Sequence, residues 1–272
     1  VRYLLAIILS LSYLTAHAGS MAGGTAYFPA EQIIQFSKQV ERTLAEKGAH
    51  VAIVARVGRP ASELPEGMHF THVSFAIYSQ ITTSDGRIVP GYATYNEYQR
   101  NEHPDSSSLI QDFPVDFFAG VAVLEAGILI PSPELQQRLL TTISSPVYKA
   151  LHDPHYSAIA NPYTLGRQNC TEHTLDVINA AIYQTGDIKL IKAAEKKYFV
   201  AQPVNVSGFK LMLRSLFSSE ITLADQPAAP VTATFETIAD YLKKYDQGSQ
   251  MFIITPVQAS TLNTERNHDE VK

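Results

Sequence analysis

The chain holds 272 residues, 45% of them hydrophobic and 17% charged, with a formal net charge of −5 at pH 7. That length suffices for one domain with a sizeable core. The mild acidity argues against a nucleic-acid partner, which demands a basic patch, and against electrostatic binding to anionic lipid.

In chain order, Arg2, an apolar run over residues 3–14 and the small-residue signature Ala16-His17-Ala18 come first. They predict a secretory signal peptide over residues 1–18, with Gly19 opening the mature protein. A membrane span needs about 20 apolar residues, more than this run or any other supplies. A bacterial periplasmic or secreted protein, with no stable membrane span after signal cleavage, is therefore expected.

A helix is predicted over 30–47, with Ile33, Ile34, Phe36, Val40 and Leu44 at helical spacing and Gly48 as its stop. Residues 50–57 read as a strand, 59–67 as a loop with two prolines, and 70–78 as a strand carrying His72. Ser84-Asp85-Gly86 marks a turn into a strand region over 87–98, broken at Pro90-Gly91. Residues 99–108 are polar and loop-like, and 113–130 hold two apolar segments. Ser132 and Pro133 open a helix ending near residue 143. A Pro/His/Asn-rich connection over 144–168 leads into the clearest helix, 170–183. Further helices are expected near 208–216 and 235–245, then a strand at 251–255. A single domain over 19–256 and a disordered tail over 257–272 complete the expected organisation.

Cys170 is the only cysteine, so it cannot close an intramolecular disulfide. In an exported chain it is then a buried hydrophobe, an intermolecular crosslink or a nucleophile. Asn169 is a favoured N-cap and Glu172 stands where a capping-box partner reaches back, placing Cys170 at the first helical position. Thr174, Leu175, Ile178, Ala181 and Ile182 form one stripe, with Glu172, Asp176 and Asn179 opposite, so the helix is expected to pack along one face. At its tip the helix dipole favours thiolate, and backbone N–H groups can receive an oxyanion.

A thiol nucleophile needs a base. On an extended strand His72 shares a face with Ser74 and Ala76, small residues that leave room for a helix end, while Val73, Phe75 and Ile77 face the other way. Metal ligation competes poorly with this. His69 and His72 face opposite sides of a strand, and His152-Asp153-Pro154-His155 lacks a supporting Cys- or Glu-bearing motif. Neither metal nor cofactor is expected.

The strings His72-Val73-Ser74-Phe75-Ala76-Ile77-Tyr78 and Asn169-Cys170-Thr171-Glu172-His173-Thr174-Leu175, histidine before cysteine, resemble the circularly permuted papain-like hydrolases. That group includes relatives of the NlpC-type cell-wall peptidases and of lecithin:retinol acyltransferase. At closer range the chain looks like the bacterial domain-of-unknown-function family 2145. The likeness runs through Arg56-Val57-Gly58-Arg59, Glu63-Leu64-Pro65, the His72 strand, residues 111–118 and residues 168–172. The papain-like resemblance implies an α+β fold, an antiparallel sheet packed on the cysteine-bearing helix with additional helices. It also implies a polar residue on the next strand that orients the imidazole. Asn96, on one face with Tyr92 and Thr94, is the candidate, with Asp112 and Gln111 as runners-up. Gln168 and Asn169 are candidates for the oxyanion or substrate site.

The expected function is an exported cysteine hydrolase or acyltransferase acting on an amide or ester bond of envelope origin, a cell-wall peptide amide or a lipid ester. The alternative is a non-catalytic papain-like module that binds an envelope ligand or partner protein through aromatic segments at 92–98 and 113–118.

Overall fold

A computed structural model describes residues 27–64, 67–205 and 222–257. The expected signal peptide, the helix near 208–216 and the tail lie outside the described residues, apart from residue 257.

α1 (Ala30–Glu46) buries Ile33, Phe36, Val40 and Leu44, while Ile34 stays exposed. Gly48 follows it at φ +64°, a left-handed conformation that favours glycine after a helix end. β1 (Val51–Val57) is buried at every residue. β2 (His72–Thr82) and β3 (Ile88–Gln99) form a hairpin that turns at Gly86, φ +81°. β3 is not broken where expected. Pro90 sits opposite Gln80, in a stretch where the outer neighbour of β3 does not pair, so its missing N–H costs no bond on that side.

That neighbour, β4 (Ser107–Asp112), pairs with Thr94–Gln99 and was not foreseen, because its polar ends read as loop. α2 (Pro114–Phe118), β5 (Val123–Ile130) and α3 (Pro133–Ile143) follow, the last capped by Ser132 accepting from the Leu135 N–H. The connection to the cysteine contains α4 (Pro146–Ala150). After α5 (Cys170–Tyr183) comes a helix missing from the sequence expectation, α6 (Ile188–Tyr198), capped by Asp187. The short ribbon of β6 (Gln202–Pro203) and β7 (Val231–Thr232), then α7 (Phe235–Tyr245) and β8 (Gln250–Ile254), complete the described chain.

The main sheet runs β4-β3-β2-β1-β5-β8 with every neighbouring pair antiparallel. Alternate residues of its central strands supply two cores. Val54, Ala76 and Ile128 pack with Phe36, Phe117 and Phe118 of α1 and α2. Ile53, Phe75 and Leu129 pack with Leu139 of α3 and Leu175 and Ile178 of α5. The architecture is α+β, with helices on both faces of one antiparallel sheet. Burying each such large apolar side chain is worth about 1.5–3 kcal/mol.

α5 departs from its expected pattern. Glu172, Asp176 and Asn179 are buried with the rest of residues 170–181, because α6 lies against the side that was to face solvent. No helix among the described residues is long and apolar enough to cross a membrane.

Candidate active site

The pairing of β2 with β3 ends at Phe75 opposite Tyr95, and the tip of α5 approaches the β2 backbone just beyond, at Val73. Asn169 makes the cap: its Oδ1 accepts from the Glu172 N–H at 3.0 Å and from Thr171 Oγ1 at 2.7 Å. Glu172 does not reach back to form a capping box. Its carboxylate goes to Lys192 Nζ, 2.8 Å away on α6, since a buried charge needs a counter-ion more than a helix end needs a second cap.

Cys170 is buried, with the backbone N–H groups of Val73 and Thr171 beside its sulfur. Burial overrides these donors and pushes the thiol up to about 12, helped by the Glu97 carboxylate and opposed by Arg56. At rest the sulfur carries its proton.

His72 reaches the same end of β2 from the other side. Its ring stacks on Tyr98, 4.8 Å between centroids and 10° from parallel, and lies against Phe117 of α2. The Arg56 guanidinium sits over Phe117 at 5.1 Å and donates to the Phe117 carbonyl. The expected approach of the cysteine helix on the Ser74/Ala76 face is thus corrected. The body of α5 packs on the Val73, Phe75 and Ile77 face, where the larger apolar side chains offer more area, and α1 and α2 cover the other.

Burial holds the imidazole well below its usual range, and Arg56 adds to this, while the Asn96 side chain opposes them. The contact with Asn96 is loose: neither His72 Nε2 nor Asn96 Oδ1 completes a well-aligned hydrogen bond among the described residues. Asn96 itself is anchored, donating from Nδ2 to Asp112 Oδ1 at 2.7 Å. Asp112 also accepts from Thr94 Oγ1 and, at 2.9 Å, from Tyr98 Oη. Burial nonetheless raises its pKa, the donors notwithstanding. Asp112 therefore braces the row that carries Asn96.

The other candidates separate. Gln111 is exposed on β4 and donates only to the Asp112 carbonyl, at 2.9 Å. Gln168 is a strut. Its Oε1 accepts from the Asp153 N–H, and its Nε2 donates to the Leu151 carbonyl and to Asp176 Oδ2, which uses both amide hydrogens and leaves none for an oxyanion. His152 and His155 diverge, one to Ser107 Oγ at 2.9 Å and the other to Asp153 at 2.7 Å. No three His, Cys, Asp or Glu among the described residues converge as metal ligands.

Sequence reasoning missed Arg56, Glu97 and Lys192. Glu97 had one available signal: alternation along β3 puts Tyr95, Glu97 and Gln99 on the face opposite Asn96, toward α5. Together, the thiol at a capped helix tip, a neutral imidazole with an amide beside it, and N–H donors around the sulfur are groups suited to acyl transfer.

A family model described as an uncharacterized protein conserved in bacteria, DUF2145, matches residues 43–242. No curated protein and no solved structure matches the chain.

Proposed function

The chain belongs to this DUF2145 family, and from its own residues we propose that it is an exported cysteine hydrolase or acyltransferase of permuted papain-like architecture. The observation that carries the reading is where the sulfur lies: at the capped tip of α5, with its proton-bearing atom against the backbone of Val73, the residue after His72.

In this reading Cys170 Sγ attacks the carbonyl carbon of an amide or ester. The C–S bond forms as the thiol proton passes to the His72 imidazole. In this reading the transfer takes place past Phe75 and Tyr95, where the β2–β3 pairing ends. The N–H groups at the α5 tip receive the carbonyl oxygen as it gains charge. His72 then gives the proton to the leaving amine or alcohol, and water or an acceptor alcohol releases the acyl group. Asn96, held by Asp112, orients the ring. A thiol held near 12 and a weakly basic imidazole suit transfer concerted with attack better than a resting ion pair. Envelope peptide amides are the first substrate class, and lipid esters the second.

Acylating active-site probes test this directly. The wild type labels, Cys170→Ser does not, and His72→Ala loses most of its labelling. Equal labelling of His72→Ala and wild type refutes the pair, and labelling of Cys170→Ser refutes the nucleophile.

The buried, protonated thiol favours a second reading, a papain-like module that binds an envelope fragment without chemistry. Saturable binding by a protein that no probe acylates would support it.

A further inference from the structure

We propose that Glu97 sets the protonation state of the Cys170 thiol and is connected outward through Ser107 and His152, a role that rests on Cys170 being the nucleophile. Glu97 is on β3 just past the last β2–β3 pair, on the thiol's own side of the sheet. It is 2% exposed, and neither carboxyl oxygen completes a well-formed hydrogen bond among the described residues. A buried carboxyl so poorly satisfied is costly, and it persists here beside the one cysteine in the chain. The Ser107 hydroxyl lies next to it and is itself bonded to His152 Nε2 at 2.9 Å. His152 is half-buried, so this line of polar groups runs from the thiol toward the surface.

The groups facing Glu97 come from four elements. α5 contributes Cys170, Glu172 and Asp176; α4 contributes Tyr148; the segment after α4 contributes His152 and Asp153; β4 contributes Ser107. Lys192, the buried lysine of α6, is occupied by the α5 carboxylates and by Glu195. His173, packed edge-on against Tyr148, is pushed down to about 3 by burial and stays neutral. Burial, reinforced by Asp176 and Asp153 and opposed by Ser107, moves the Glu97 carboxyl up to about 8. At neutral pH and below, Glu97 is therefore uncharged, and the thiol feels Arg56 and the two N–H donors. When Glu97 ionises, its charge holds the thiol proton more tightly. The site is released on the acid side of this titration and braked on the alkaline side.

The experiment is the rate of Cys170 alkylation by iodoacetamide from pH 6 to 10, with denaturant unfolding of the same full-length proteins over that range. The wild type should climb with pH, then flatten as Glu97 ionises. Glu97→Gln should lose the shoulder and react about tenfold faster above it, the equivalent of one pKa unit. Ser107→Ala removes a donor to the ionised carboxyl, so it should move the shoulder to higher pH, and it should do nothing in the Glu97→Gln background. Should the folded thiol resist the reagent, unfolding carries the test: the wild type loses stability as pH rises from 6 toward 8, and Glu97→Gln loses markedly less over that span. Superimposable wild-type and Glu97→Gln curves in both measurements overturn the inference. A protein that probes acylate but whose thiol ignores Glu97 overturns this inference alone; a Glu97-sensitive thiol that no probe acylates overturns the hydrolase reading instead.

Discussion

Lys192→Met separates the two helices that hold the cysteine in place, and its effect follows from three distances. The ammonium lies 2.8 Å from Glu172, 2.7 Å from Asp176 and 3.1 Å from Glu195, with 8% of its side chain exposed. Burial would lower its pKa, but Asp176, Glu172 and Glu195 outweigh that and raise it. Burial likewise holds Glu172 and Glu195 well above the usual carboxyl range, despite the lysine. Methionine keeps the stem's volume and removes the charge, leaving three acids in a dry interface. Breaking a buried pair costs about 3–5 kcal/mol. With roughly 2–4 °C per kcal/mol for a chain of this size, Tm should fall by about 6–20 °C at neutral pH. A carboxyl whose folded pKa is raised contributes stability at low pH and loses it as pH rises toward the folded value. Removing the ammonium raises those values further, so the deficit should be smaller at pH 5 and grow toward pH 8. Each additional proton the fold must retain adds about 1.4 kcal/mol per pH unit. Thermal and urea unfolding at pH 5, 6.5 and 8 measure this. A Tm within about 2 °C of wild type, or a deficit equal at pH 5 and 8, would refute the charge argument.

Two further outcomes are expected. Arg56→Met removes the cation that disfavours imidazolium, so His72 should titrate at higher pH by NMR, and the destabilisation on acidifying below about 6.5 should shrink; an unmoved titration would show that burial alone sets it. Asn169→Ala strips the cap from α5 and should cost about 0.5–2 kcal/mol in urea unfolding, while Asn169→Asp keeps the acceptor and most of the stability; equal losses in both would mean that the cap contributes nothing.

The parts of the fold legible in the sequence are those set by local chemistry. The α1 stripe, Ser132 ahead of Pro133, and Asn169 ahead of Cys170 each carry their own signal, and each element begins where that signal falls. Illegible features depend on partners far along the chain. Alternation in β2 separates His72 from Val73, but both faces of the sheet are covered, so nothing local says which face α5 takes. Glu172 and Asp176 look like a solvated face until α6 brings Lys192 against them. β4 reads as loop because Ser107 and Asp112 are polar. They are buried because β3 aims Glu97 and Asn96 at them.

The backbone amides of Val73 and Thr171 beside Cys170 would make the sulfur a link between sheet and helix, whatever its chemistry. Alanine at this position would strand both donors in a dry site, at about 1–3 kcal/mol each, whereas serine offers them an oxygen. The thiol's chemistry is thereby dispensable in a way that its lone pairs are not. A relative that kept the fold without the thiol is expected to carry Ser at position 170 and not Ala. The same asymmetry makes serine the fair inactive control, because a loss of function in the alanine variant would mix lost chemistry with a loosened joint.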